Sequence, residues 1–357
     1  MKATVDAKEF TSALKKVSDA LVRSAAISFM AEARVDFNSG LCTVTGTDLN
    51  LWLMANLPAY GDDFSFLFTD TRLVMKTLGH FSGEVTLELN GDTLKVIGGN
   101  KEAVFTVEDT KMYPEQPNEA FERICNADAA KLHKSIQRIS YATVISDSNI
   151  SLRGVRFEGS RIWCIDGCRI AMTDGAFDTS DRFILPAKEL CNLKHFGDST
   201  VEIGVGKKYV FITNGVFTMI LRLIEAADRL EVEKLIPKSS TETYFIDRRE
   251  YMDAIDYLSD STRERNTNPV LFEKGKLTLE GKNSRSGVTV FVDGEAEIRY
   301  AMDLRYIRDA LGQFAGSNKV KISATSEFSP IVITAENTTD LALILPVRTR
   351  NEWRGAA

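Results

Sequence analysis

The chain has 357 residues, 44% hydrophobic and 26% charged, with 44 lysines and arginines against 50 aspartates and glutamates and a net charge of −6. That balance suits folded domains and excludes a surface that coats nucleic acid indiscriminately, so any contact with DNA or RNA has to be local. Five cysteines without a CxxC pair exclude a disulfide framework or structural zinc site, and neither the opening "MKATVDAKEF" nor the run "LALILPV" is a signal peptide or membrane span, so a cytoplasmic protein without a membrane partner is expected.

In chain order, "DAKEFTSALKKVSDALVR" opens on Asp6, a residue type that caps free helical N–H groups. Apolar residues follow at helical spacing through Phe10, Leu14, Val17 and Leu21. Opposite them lie Lys8, Ser12, Lys15, Lys16 and Arg23. The stretch "LCTVTGTDLNLWLMANL" mixes β-formers with turn residues. A second helix over 70–81 carries Arg72 and Lys76 and ends in "TLGHFSGEVTLEL", and Asn90-Gly91 marks a hairpin.

The order then recurs. A helix from Asn126, "NADAAKLHKSIQRISYAT", has Leu132, Ile136 and Ile139 on one side and Lys134, Gln137, Arg138 and Tyr141 on the other. Strands in "GVRFEGSRIWCIDGCRIAM" follow, then a helix over 186–197 bearing Lys188 and ending in "NLKHFGDSTVEIGV". A third round starts at Asp247 with "DRREYMDAIDYLSDST", whose stripe is Tyr251, Ile255 and Leu258. It continues through "VLFEKGKLTLEGKNSRSGVTVFV", with a hairpin at Lys274-Gly275, to a helix over 303–314 that carries Arg305 and ends in "ALGQFAGSNKVKIS".

The matched phenylalanines Phe81, Phe196 and Phe314 stand 115 and 118 residues apart. Three units of that size fill the chain, with boundaries at the Pro-containing "MYPEQPNE" and "LIPKSSTE", which gives domains 1–118, 119–239 and 240–357. Short capped helices on extensive antiparallel sheet make the class α+β. The helical windows of the first two units are mildly positive, whereas 247–260 carries −3 through Asp253, Asp256 and Asp260.

No catalytic constellation assembles. His80 and His195 occupy matched positions that Gln313 takes in the third unit, as helix-end residues without metal-ligand spacing around them. Asp48 and Asp166, in "TGTD" and "CIDG", sit among turn-forming residues, and "GGNK" at 98–101 is not a phosphate loop. The chain reads as a non-enzyme without metal or cofactor. Two rival classes remain open: a metal-dependent hydrolase using scattered aspartates, and a non-encircling repeat scaffold favoured by the acidic third helix.

The segments "TGTDLNLWL" (45–53), "RGVRFEG" (153–159), "DGCRIAM" (166–172), "ILPAKEL" (184–190) and "LALILPVR" (341–348), in this order on a threefold repeat, resemble the bacterial DNA sliding clamp, the β subunit of DNA polymerase III. The resemblance implies three clamp domains per chain, helices inside and antiparallel sheets outside, and two chains joined head to tail as a homodimeric ring that encircles duplex DNA without reading its sequence. Its DNA-facing residues would be Lys8, Lys15, Lys16, Arg23, Arg72, Lys76, Lys134, Arg138, Lys188 and Arg305. A hydrophobic pocket for a leucine- and phenylalanine-anchored peptide, carried by the polymerase III catalytic subunit and the clamp loader, would take in Arg156, Ile165, Gly167, Cys168, Arg169, Ile170, Leu235, Pro330, Leu343, Ile344, Leu345, Pro346, Val347 and Arg348. The dimer interface would join Phe105 and Val107 of one chain to Tyr257 and Leu258 of another. Cys168 stands where the family has histidine, Arg156 where an apolar residue is common, and "TRNEWRGAA" extends past the usual end.

Overall fold

A computed structural model describes residues 1–22, 28–144, 149–225, 230–261, 269–280 and 284–348. Its α-helices are α1 (Ala7–Val17), α2 (Thr71–Leu78), α3 (Ala129–Ile139), α4 (Val232–Leu235), α5 (Arg248–Asp260) and α6 (Leu304–Gln313). Aspartates cap all but α4. Asp6 accepts from the N–H groups of Lys8 and Glu9 at 2.9 and 3.0 Å, and Asp70, Asp128, Asp247 and Asp303 serve the other four at 2.8–2.9 Å. Asn126 is not the cap expected for α3: it pairs with Glu202 inside the strand Glu122–Asp128, and Asp128 starts the helix instead.

The helix expected over 186–197 is a 3₁₀ helix, Glu189–Phe196. Lys188 offers it no side-chain cap, and Asn192 Nδ2 donates to the Glu189 carbonyl at 2.9 Å, holding the tighter turn. The three anchor phenylalanines keep one role: Phe81, Phe196 and Phe314 are all buried.

Among the described residues all strand pairs are antiparallel, in three sheets. One of thirteen strands runs Glu122–Asp128, Thr200–Val205, Tyr209–Thr213, Phe217–Arg222, Leu51–Pro58, Leu41–Thr47, Arg34–Asn38, Phe64–Phe68, Lys101–Glu108, Thr93–Gly98, Glu84–Asn90, Lys2–Asp6 and Tyr60–Gly61. A second of seven runs Gly154–Ile165, Arg169–Pro186, Leu341–Ile344, Ile331–Ala335, Lys319–Ala324, Glu242–Asp247 and Asp293–Gly294. The third has four: Arg285–Thr289, Lys276–Glu280, Pro269–Glu273 and Tyr300–Asp303. Both anticipated hairpins form. At the second, Lys274 and Gly275 take φ of 48° and 77° between the paired Glu273 and Lys276, the mirror-image turn that matches strand twist.

The chain divides into two compact units, 1–133 with 188–223, and 134–187 with 224–357. The cause is visible in the ladders. Phe217–Arg222 pairs with Leu51–Pro58 of the first repeat, while Arg169–Pro186 pairs with Leu341–Ile344 of the third. Each half of the middle repeat is therefore stitched into a neighbour's sheet. In the first unit α1 packs on the strands Leu41–Thr47 and Leu51–Pro58 and against α2; in the second α5 packs against α6. No helix among the described residues is long and apolar enough to cross a membrane.

Candidate functional site

Amphipathic helices that bury one stripe must show the other to solvent, and in the first unit that face is basic. Lys8 and Lys15 on α1, Arg72 and Lys76 on α2, and Lys188 are exposed and make no ion pair among the described residues. Lys16 is half-buried, its ammonium 5.5 Å from the centre of the Phe217 ring. Arg23 lies outside the described residues. Lys194, which the sequence reading passed over, is committed to Asp19 at 2.7 Å, and His195 joins the same carboxylate at 2.9 Å.

The second unit is different. Lys134 is exposed and makes no ion pair among the described residues, but Arg138 is tied inward: it donates to Asp340, whose side chain is 3% exposed, at 2.9 Å and to Thr173 at 3.0 Å. Arg305 pairs with the α6 cap Asp303 at 3.0 Å. On α5, Asp256 pairs with Arg308 of α6 at 3.0 Å, a base the sequence reading missed, while Asp253 and Asp260 remain exposed. Of the predicted DNA-facing residues, the free cations thus belong mainly to the first unit.

The predicted pocket residues come together only in part. Trp163, Ile170, Met172, Val232 and Leu343 form a buried apolar cluster, and Ile165, Leu230, Ile236, Val332 and Leu341 pack against it. Of these only Ile165, Ile170 and Leu343 were expected. Alternation along "RIWCI", which puts Trp163 on the face of Ile165, was the available signal for the rest. Ile344 does not belong: side chains alternate across a strand, and it points to the opposite face, into the core around Ile255, Ile322 and Ile333. Leu235 and Leu345 are exposed at 36% and 39%, Val347, Gly167, Cys168 and Arg348 are also exposed, and Pro330 and Pro346 are half-buried. Arg156 is buried with its guanidinium 4.9 Å from the Trp163 ring centre.

Arg169, expected in the pocket, sits in a polar junction. Its guanidinium lies 4.3 Å from the Tyr306 ring centre and 5.1 Å from that of Tyr141. It donates to Asp166 at 2.7 Å, to Asp309 at 2.6 Å and to the Tyr141 carbonyl at 2.6 Å. Burial penalises the charge, but the hydrogen bonds to Asp309 and Asp166 outweigh it and the pKa is raised. Gln313 extends the junction, accepting from the Tyr141 hydroxyl at 2.9 Å and donating to the Met172 carbonyl at 2.8 Å. This network couples the middle and third repeats within one unit.

Three of the four expected interface residues turn inward. Phe105 and Val107 are 8% and 2% exposed, and Val107 lines a cavity of about 620 Å³ in the first unit. Leu258 is 0% exposed in the core beside α6. Tyr257 is 53% exposed and Val104, on the outward face of the same strand as Phe105, is 59% exposed. That strand, Lys101–Glu108, meets Phe64–Phe68 only at Val107 and Glu108, so its earlier residues present an open edge among the described residues. Arg285–Thr289 is likewise an outer strand of its sheet, followed by Phe291 at 71% exposure.

Asp48 and Asp166 do turn work: Asp48 accepts from the N–H groups of Asn50 and Leu51, Asp166 from those of Cys168 and Arg169, all at 2.8–2.9 Å. No group of three or more His, Cys, Asp or Glu among the described residues is placed to hold a metal ion.

No family model matches the chain. It is 23% identical over 381 residues to the beta sliding clamp of Bacillus subtilis strain 168, and 21% identical over 371 residues to that of Pseudomonas putida, covering 98% of this chain and 100% of each relative. Among solved structures, the DNA polymerase III subunit beta of Pseudomonas aeruginosa superposes with a TM-score of 0.89 at 18% identity, and the DNA polymerase sliding clamp of Bacillus subtilis with 0.88 at 20%, each over 98% of this chain and 100% of the other. Along its whole length the chain is similar in sequence to these beta sliding clamps, and it has the fold of their solved structures.

Proposed function

We propose that the chain is a processivity clamp rather than an enzyme: two copies close head to tail around duplex DNA and tether a replicative polymerase. The observation that carries this reading is the full-length match in sequence and fold to beta sliding clamps. In this reading the three repeats, 1–118, 119–239 and 240–357, are the segments of the ring, and like segments let a head-to-tail contact close instead of growing into a filament. The open edges at Lys101–Glu108 and Arg285–Thr289, with Val104, Tyr257 and Phe291, supply the contact. The apolar patch around Leu343 receives the anchored peptide of the polymerase and of the clamp loader. A replication clamp works where bacterial DNA is, in the cytoplasm.

A closed ring cannot leave DNA sideways, so it needs only weak, sequence-blind attraction. Six free cations (Lys8, Lys15, Arg72, Lys76, Lys134 and Lys188) on a chain of net charge −6 suit that task. Electron-microscope images with mass in solution test the ring: a two-chain annulus supports it, and a closed monomer at micromolar concentration favours the open scaffold. Each change of one of the six to alanine is expected to lower the salt slope of DNA association by about 1, equally on all sequences. Titrations over sodium chloride check this, and slopes unchanged by Lys15→Ala and Lys76→Ala together would remove these residues from the DNA-facing set.

A further inference from the structure

We propose that His80 of one copy and Asp260 of a second copy pair across the contact between copies, repeating there the pair that His195 and Asp19 make within one chain. This rests on the head-to-tail ring proposed above.

The first helix of each repeat ends alike. "VSDA" at 17–20, "ISYA" at 139–142 and "LSDS" at 258–261 stand 122 and 119 residues apart, so Asp19, Tyr141 and Asp260 are matched positions. Asp19 and Tyr141 lie in the 3₁₀ turns Ser18–Ala20 and Ser140–Ala142 that follow α1 and α3, and Asp260 is the last residue of α5. At the end of the second helix stand the other matched set, His80, His195 and Gln313.

Within the chain, the first set of one repeat reaches the second set of the next. His195 Nε2 lies 2.9 Å from the Asp19 carboxylate, joining the first repeat to the middle one. The Tyr141 hydroxyl donates to Gln313 at 2.9 Å, joining the middle repeat to the third. Asp260 and His80 are the members left over, because the last repeat has no later neighbour in its own chain and the first has no earlier one. Both are exposed, and neither side chain makes a hydrogen bond or ion pair among the described residues. In a ring closed head to tail the first repeat of the second copy follows the third repeat of the first copy. Asp260 then meets His80 as Asp19 meets His195.

The surroundings suit such a contact. Tyr257, one turn before Asp260, is 53% exposed, and Leu73 on α2 is 52% exposed, so each helix offers an uncovered apolar side chain. α2 brings Arg72 and Lys76 and no acid after its cap, whereas α5 exposes Asp253 and Asp260. The two helices therefore attract. The acidity of α5, a poor match for phosphate, suits a basic helix of the second copy.

Sedimentation of the full chain over a dilution series tests the pair. His80→Asp sets two carboxylates against each other at both contacts of the ring and should weaken the dimer at least about tenfold. Adding Asp260→His should return the dissociation constant to within about threefold of the parent, as a double-mutant cycle requires of residues in contact. Both side chains are exposed, so urea midpoints should not move. A dimer that His80→Asp leaves as tight as before, or that the double change fails to recover, overturns the pair and leaves the ring standing. A parent chain that stays monomeric at micromolar concentration overturns both.

Discussion

Replacing Arg169 by alanine is expected to cost the second unit about 3–5 kcal/mol, the usual loss when one partner of a buried pair is removed. The side chain is 11% exposed and that of Asp166 8%, so the carboxylate left behind keeps only its backbone donors. Asp309, at 41% exposure, can return to water and adds little. Arg169→Lys keeps the charge but loses the fork and the flat face against Tyr141 and Tyr306, for about 1–2 kcal/mol. Urea unfolding reads both, and an alanine variant within about 1 kcal/mol of the parent would show that the junction is held elsewhere.

The second large effect separates a core residue from an interface one. Leu258→Asp puts a charge into a fully buried apolar cluster and should unfold the third repeat, at more than about 4 kcal/mol. Its loss of assembly would then be a folding defect and no evidence about an interface. Val104→Glu and Tyr257→Glu alter side chains that are 59% and 53% exposed, so unfolding should stay within about 0.5 kcal/mol of the parent. If the two open strand edges meet between copies, each should weaken the dimer at least about tenfold by sedimentation. Folded variants that remain dimeric at nanomolar concentration would place the contact elsewhere.

The architecture was legible where local rules act. Caps at Asp6 and Asp247, the Lys274-Gly275 hairpin, the turn roles of Asp48 and Asp166 and the buried phenylalanine anchors all depend on residues a few positions away. Leu258 was legible too: the stripe it forms with Tyr251 and Ile255 turns it inward, and only the family's positions pointed outward. Likewise, alternation through Leu343 and Ile344 separates a patch residue from a core residue. What the sequence did not carry was pairing at long range. Nothing near Arg138 announces Asp340, 202 positions on, and nothing near Arg169 announces Asp309. Of the expected DNA contacts, Arg138 is paired with such a distant partner, whereas Arg305 pairs with Asp303 only two positions away.

The stitched middle repeat has a consequence for synthesis. Leu51–Pro58, a β-prone run, waits for its second neighbour until Phe217–Arg222 has been translated, about 160 residues later. At about 5–20 residues per second the nascent first repeat leaves the ribosome with that flank uncovered for roughly 8–30 s. Asn56, whose side chain accepts from the Thr43 hydroxyl at 2.9 Å, donates to the Gly215 carbonyl at 3.2 Å once that second neighbour arrives. The length of that exposure is therefore set by the distance between these two segments along the message.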